Sequence, residues 1–192
     1  LEVNAAPGFR MHIAPTEGLP RNVAEPVVDM LYPPGSNYRI PIIAVTGTNG
    51  KTTTTRLIAH IAKTCGYKVG FTTTDGIYIQ NQMLQRGDCT GPQSAEFVLK
   101  DPTVDFAVLE TARGGILRAG LGFHRCDIAV VTNVAADHLG LKGINTLEEM
   151  AKVKAVVPES VQPNGYAILN ADDDLVSNMG RNLDCKVAYF SL

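Results

Sequence analysis

A doubly wound α/β domain built on a mostly parallel sheet is the fold class this sequence predicts, and three observations predict it. From residue 40 onward, apolar runs alternate with helical patterns. Most of the runs are continuous rather than alternating, as in strands covered on both faces. The first run passes through a glycine-punctuated loop straight into a helix, the opening of many such domains. Strands are expected at 42–45, 68–72, 106–109, 128–131, 167–169 and 187–190. Leu57, Ile58, Ile61, Ala62 and Cys65 give the first helix an apolar stripe, and Gly66 ends it. A second helix is expected over 146–157, with Leu147, Met150, Ala151, Val153, Ala155 and Val157 on one arc and Glu148, Glu149 and Lys152 opposite. Val156 falls outside that arc, and Lys154 falls near its middle. The residue four before Lys154 is Met150, so no helical ion pair explains that lysine; the structural alternative is a side chain snorkelling from the core edge.

Residues 1–39 have another texture, with several prolines, a Pro-Pro-Gly turn at 33–35 and one short amphipathic stretch near 21–31. They read as the tail of one domain and a linker, with a single domain over 40–192. The chain starts without Met and stops just after a strand-like run, so it reads as an internal fragment, truncated at its carboxyl end. Its 192 residues and 45% hydrophobic content suffice for one substantial core. A formal net charge of −2 with scattered lysines and arginines gives no basic stripe for nucleic acid. Mean hydropathy near zero with no long apolar run gives no membrane span. Cys65, Cys89, Cys126 and Cys185 contain no C-x-x-C pair, which fits reduced thiols and a cytoplasmic location.

The chemistry is concentrated at 42–55, IIAVTGTNGKTTTT. A strand, a loop carrying Gly47 and Gly50, then Lys51 and four threonines opening a helix make an anion site, because the loop and first-turn N–H groups have no partners in secondary structure. Gly47, Thr48, Asn49, Gly50, Lys51, Thr52 and Thr53 are therefore the candidate phosphate-binding residues, with Lys51 as a point charge and the Thr52 hydroxyl as a ligand for Mg²⁺. Four β-branched residues in a row cost up to about 0.7 kcal/mol each in helix propensity, which argues that their hydroxyls are used. A glycine turn before an ordinary amphipathic helix is the structural alternative. The glycine of the longer P-loop pattern is replaced by Val45 inside the strand, leaving the short G-x-x-G-K-T form.

In such sheets ligands gather at the carboxyl ends of strands. The run at 106–109 ends in Glu110, with Arg113 following, and the run at 128–131 ends in Thr132-Asn133, then Asp137-His138. Glu110 and His138 share the edge of the phosphate loop and are candidate catalytic, metal-holding residues; a solvated strand end and a structural histidine are the alternatives. Magnesium prefers hard oxygen ligands, which suits Glu110 better than an imidazole.

The short loop resembles that of the Mur ligases, ATP-dependent amide-forming enzymes. The segments TGTNGKTTTTRLIAHI, TTTDGIYI, GDCTGPQSAEFVL, ETARGGILRAGLGF, NVAADHLGL and AILNADDDLV together resemble the central domain of the cyanophycin synthetase family, from about residue 40 to 176. The opening LEVNAAPGFRMH resembles the end of an ATP-grasp module, where Glu2 and Asn4 match a metal-binding Glu-x-Asn pair. The resemblance implies ATP and Mg²⁺ as cofactors, phosphate binding by the loop, and metal held by Thr52, Glu110 and His138. It places Thr73, Thr74, Thr90 and Arg113 toward the acceptor, although an arginine beside a glycine pair could equally be a surface cation. It also offers Lys154 as the counterpart of a carbamylated lysine found in many Mur ligases; burial would disfavour its ammonium form and leave an amine able to take up CO₂. Asn170, Asp172 and Asp173 match a further motif, for which polar turn chemistry is a sufficient reason. The implied reaction is phosphorylation of an aspartate side-chain carboxylate in a polymer of Asp and Arg, followed by attack of arginine's amine, in a full-length enzyme expected to be a homo-oligomer. Alternatives are a folylpolyglutamate or cell-wall ligase, neither of which explains the ATP-grasp-like start, and a nucleotide-binding scaffold without turnover.

Overall fold

The computed structural model describes residues 8–35, 39–136, 140 and 143–192. The chain divides into two compact units, with the boundary between Arg39 and Ile40. The first unit carries the short helices α1 (Arg10–Ile13) and α2 (Ala24–Leu31), neither of which has a buried residue.

In the second unit, β1 (Ile42–Thr46) is buried along its whole length, as its unbroken apolar run requires. It leads into α3 (Lys51–Thr64), then β2 (Val69–Thr73), β3 (Gly76–Ile79), β4 (Gln82–Arg86) and α4 (Pro92–Lys100). There follow β5 (Phe106–Glu110), α5 (Arg113–Ala119), β6 (Cys126–Val131), α6 (Leu147–Glu159), β7 (Val161–Asn170), α7 (Asp174–Met179) and β8 (Lys186–Phe190). The strands form one sheet in the order β4-β3-β2-β5-β1-β6-β7-β8. All neighbours pair parallel except β2 with β3 and β3 with β4. The antiparallel edge is a finding that the continuous-run criterion passes over: β4 is exposed at all five positions and has no apolar pattern to betray it. Two tight turns build it, one at Thr74-Asp75 and one at Gln80-Asn81, where Gln80 takes the positive φ of 55° that a primed hairpin turn needs.

Alternate residues of β1 point to opposite faces. Ile43 and Val45 pack with Ala59 and Ala62 of α3, while Ile42 and Ala44 face the cluster of Ala95 and Val98 from α4 and Val157 from α6. A third cluster joins Met150 and Ala151 of α6 to Leu169 of β7 and Val176 of α7. Helices therefore cover both faces, and the doubly wound expectation holds. The stripe expected on α3 holds in part: Ala62 is buried and Ile58 packs against the core, but Thr55 and Ala59 complete the buried set, while Leu57 and Ile61 are more than half exposed and Cys65 is exposed. Small residues let the helix lie close on the sheet, and Leu57 and Ile61 are turned outward. The α6 arc is as expected, with Met150, Ala151, Lys154 and Val157 buried. Its start is fixed by Thr146 and Glu149, which satisfy each other's backbone N–H groups.

Candidate active site

The site is assembled where the chain leaves β1 between β5 and β6, the switch point of the winding. Gly47 has φ +142°, and a Cβ there would lie 1.9 Å from Thr132 Oγ1, so only glycine fits. The loop is then bolted to the segment after β6. Asn133 O accepts from Thr48 N at 2.8 Å, Asn133 Oδ1 from Asn49 N at 2.9 Å, and Thr132 Oγ1 donates to Asn49 O at 2.7 Å. Ala135 N donates in turn to Thr48 Oγ1 at 2.9 Å. These bonds hold the loop's backbone in place, and the first-turn amides of α3 have no intrahelical partners. Gly50 caps that helix, and Lys51 folds back so that Nζ donates to Thr48 O at 2.9 Å.

Glu110, the last residue of β5, is 2% exposed. Its Oε2 accepts from Thr52 Oγ1 at 2.9 Å and from Thr74 N at 3.2 Å, and the Thr52 and Thr74 hydroxyls lie 3.0 Å apart. Its Oε1 is buried with no hydrogen-bond partner among the described residues. Burial pushes the carboxyl above its ordinary range, against the opposing pull of the Thr52 hydroxyl and the Lys51 charge. A buried carboxylate with an orphaned oxygen beside a hydroxyl is chemically suited to a hard divalent cation, and Thr52 and Glu110 fit that role. His138 lies outside the described residues, as do Glu2 and Asn4.

Beside this pair lies a cleft of about 270 Å³ lined by Gly47, Thr48, Lys51, Thr74, Thr90, Arg113 and Lys154, together with Asp88. Lys154 is 3% exposed, and its Nζ donates to Gly47 O at 2.7 Å. It is thus no snorkelling side chain at the core edge; it reaches from α6 to the root of the loop. Arg113 begins α5 and Thr90 precedes α4, so the cleft collects side chains from three strand-to-helix connections, from the turn after β2 and from the body of α6. Thr73 departs from expectation: it is fully buried and does not line the cleft, and its Oγ1 donates to Asp75 Oδ1. Thr73 is the last residue of β2 and turns its hydroxyl to Asp75, while Thr74 opens the turn that follows and lines the cleft. Asp75 is also bound by Arg56 and Tyr78, which ties down the turn that presents Thr74. Thr53 is exposed and lines neither of the two hollows beside the loop.

On the other side of the loop, Asn49, Gly50 and Thr54 border an open apolar hollow of about 610 Å³, walled by Val130, Ile168 and Phe190 with Asn133, Asn170 and Asp172. Asn170 Nδ2 donates to Thr132 O at 2.9 Å. Asp173 accepts from Val134 N at 2.6 Å and caps α7 through Leu175 N and Val176 N. The Asn-Ala-Asp-Asp run thus braces the segment that holds the loop, a role beyond turn chemistry. Asp88 and the anchoring role of Asn133 are what sequence reasoning missed.

With this fold and this loop, the chain belongs to the Mur ligase middle domain family, which it matches over residues 45–192. More particularly, all of its 192 residues align at 67% identity with the cyanophycin synthetase of Synechocystis sp.. The chain spans 22% of that relative's length, about a fifth. A solved structure of UDP-N-acetylmuramoyl-L-alanyl-D-glutamate–2,6-diaminopimelate ligase shares the fold at a TM-score of 0.68 and 31% identity, over 80% of this chain and 32% of that one. The structure of E. coli FolC in complex with DHPP and ADP shares it at 0.60 and 24% identity, over 80% and 43%. Among the described residues no helix is long and apolar enough to cross a membrane.

Proposed function

We propose that this chain is the nucleotide-binding part of an ATP-dependent amide ligase that extends a polymer of Asp and Arg. The observation that carries this reading is the buried Glu110 carboxylate, hydrogen-bonded to Thr52 at the first turn of α3 and with its other oxygen unpartnered among the described residues, beside a cleft rich in cations. The amides of Gly50 to Thr53 and the Lys51 ammonium would hold the ATP phosphates. The apolar hollow bordered by Asn49 and Phe190 suits a planar base, with Asn133 and Asn170 able to hydrogen-bond its edge. Thr52, Glu110 and His138 would hold Mg²⁺, which supplies charge neutralisation on the phosphates when bound.

The acceptor is a terminal aspartate whose side-chain carboxylate enters the cleft among Thr74, Thr90 and Arg113. That carboxylate takes the γ-phosphoryl group, ADP leaves, and the resulting acyl phosphate is attacked by the amine of arginine; an amide forms, and phosphate departs with one former carboxylate oxygen. The chain's part is positioning and electrostatic stabilisation, not covalent chemistry. The high identity to a cyanophycin synthetase supports the polymer as substrate. Four free cysteines support a reducing, cytoplasmic setting.

The test is arginine incorporation by the full-length polypeptide carrying Lys51→Ala. Loss of a charge-assisted phosphate contact used in the transition state predicts a fall of at least about a hundredfold. Near-normal incorporation contradicts the assignment.

A further inference from the structure

Among the described residues that line the cleft, Asp88 is the one anion beside the cations. Asp88 lies in the connection between β4 and α4, is exposed, and lines the same cleft as Lys51, Arg113 and Lys154. Its orientation is fixed: Oδ1 accepts from Thr90 N at 3.2 Å and from Thr90 Oγ1 at 2.7 Å. The other oxygen, Oδ2, has no hydrogen-bond partner among the described residues. A carboxylate held this way is a preorganised acceptor for a cation.

The substrate class named above, on which this inference rests, has a matching pattern of charge. Each completed unit of the polymer is an aspartate whose side chain carries arginine, so the anionic terminal aspartate follows a unit bearing a guanidinium. Successive residues lie about 3.8 Å apart between Cα atoms, and the arginine-bearing branch is long and rotatable enough for its guanidinium to turn into the cleft that holds the reacting carboxylate. We propose that Asp88 binds the guanidinium of the unit preceding the terminal aspartate, so that the enzyme recognises a primer whose last side chain has been completed. Asp88 is then a specificity-determining residue, and Thr90 positions it.

Two primers of equal length test this in the full-length polypeptide. One carries arginine on its last branch; the other carries citrulline, which is nearly isosteric and uncharged. The wild type is expected to favour the arginine primer by at least about tenfold in kcat/KM for arginine addition, the scale of a charge-assisted hydrogen bond. Asp88→Asn keeps Oδ1 for Thr90 and removes only the charge, and it should use the two primers within about twofold of each other. Asp88→Ser, a second uncharged acceptor for Thr90, should behave in the same way. A wild type without preference, or variants that retain it, overturns the proposal. Addition to neither primer by the wild type overturns the ligase reading itself and the proposal with it.

Discussion

Lys154 and Gly47, 107 residues apart, are joined by a buried hydrogen bond of 2.7 Å from the lysine Nζ to the glycine carbonyl. Through it α6 holds the root of the loop that begins the candidate active site. Lys154→Ala removes the donor and leaves a buried carbonyl short of a partner, so the domain should lose about 1–3 kcal/mol in urea unfolding. It should also abolish arginine addition. If the amine acts as a carbamate, a short carboxylate such as acetate should restore part of the activity; normal addition by the variant would show that Lys154 serves the fold alone.

Gly47→Ala should be among the most damaging small substitutions in the domain. The new methyl would collide with Thr132 Oγ1, the atom that also bonds Asn49 O, and φ is +142°. A loss of about 2 kcal/mol or more is expected, read as a lowered midpoint in chemical denaturation. An unchanged midpoint would mean that the loop is not held as described.

Glu110 carries a prediction of opposite signs in two conditions. Its folded-state pKa is raised above the ordinary 4.5, so the stability tied to its protonated form is full below 4.5 and is lost as pH rises through the raised value. At pH 7, without a cation, the buried charge is a cost, and Glu110→Gln should melt higher than the wild type in EDTA. With Mg·ATP the order should reverse, because the variant lacks the charge that binds the cation. A thermal-shift series that ranks the two proteins alike in both conditions would refute the metal assignment.

The cysteines should separate by reactivity. Burial raises the Cys126 thiol to about 11, with its Sγ 3.4 Å from Ser160 Oγ, while Cys65 is exposed at the end of α3. At pH 8 iodoacetamide should modify Cys65 and spare Cys126, as read by peptide mass spectrometry. Modification of Cys126 at a similar rate would place it nearer the surface. The same shift means that stability held by the neutral thiol is intact below pH 9.0 and fades as pH approaches about 11.

The sequence made the frame of the site legible because its signals are local. The strand-loop-helix at β1 and α3 is written in consecutive residues, and Glu110 follows from the rule that polar residues ending parallel strands face the ligand edge. Lys154 was marked by its place on an apolar arc. The parts that stayed hidden depend on distant partners. Leu57 and Ile61 satisfy a helical stripe by periodicity, yet Ala59 and Ala62 give the closer approach to the sheet. Helix α5 contains two glycines, and its propensity argues against a helix; a Cβ on Gly115 would lie 2.9 Å from Gly91 Cα, so close packing outweighs propensity there. Thr73 and Thr74 look alike in sequence, and only the place where β2 ends and its turn begins separates them. Asp88 belongs to no periodic pattern and becomes visible only when its connection is folded against Arg113 and Lys154.

The central claim, that a side-chain carboxylate is activated by phosphorylation, is tested most directly by following oxygen. A primer whose terminal aspartate carries ¹⁸O in its side-chain carboxylate is incubated with the full-length polypeptide, Mg·ATP and arginine, and the released phosphate is analysed by mass spectrometry. The account predicts one ¹⁸O atom in phosphate for each arginine added. Arginine addition with unlabelled phosphate would contradict it.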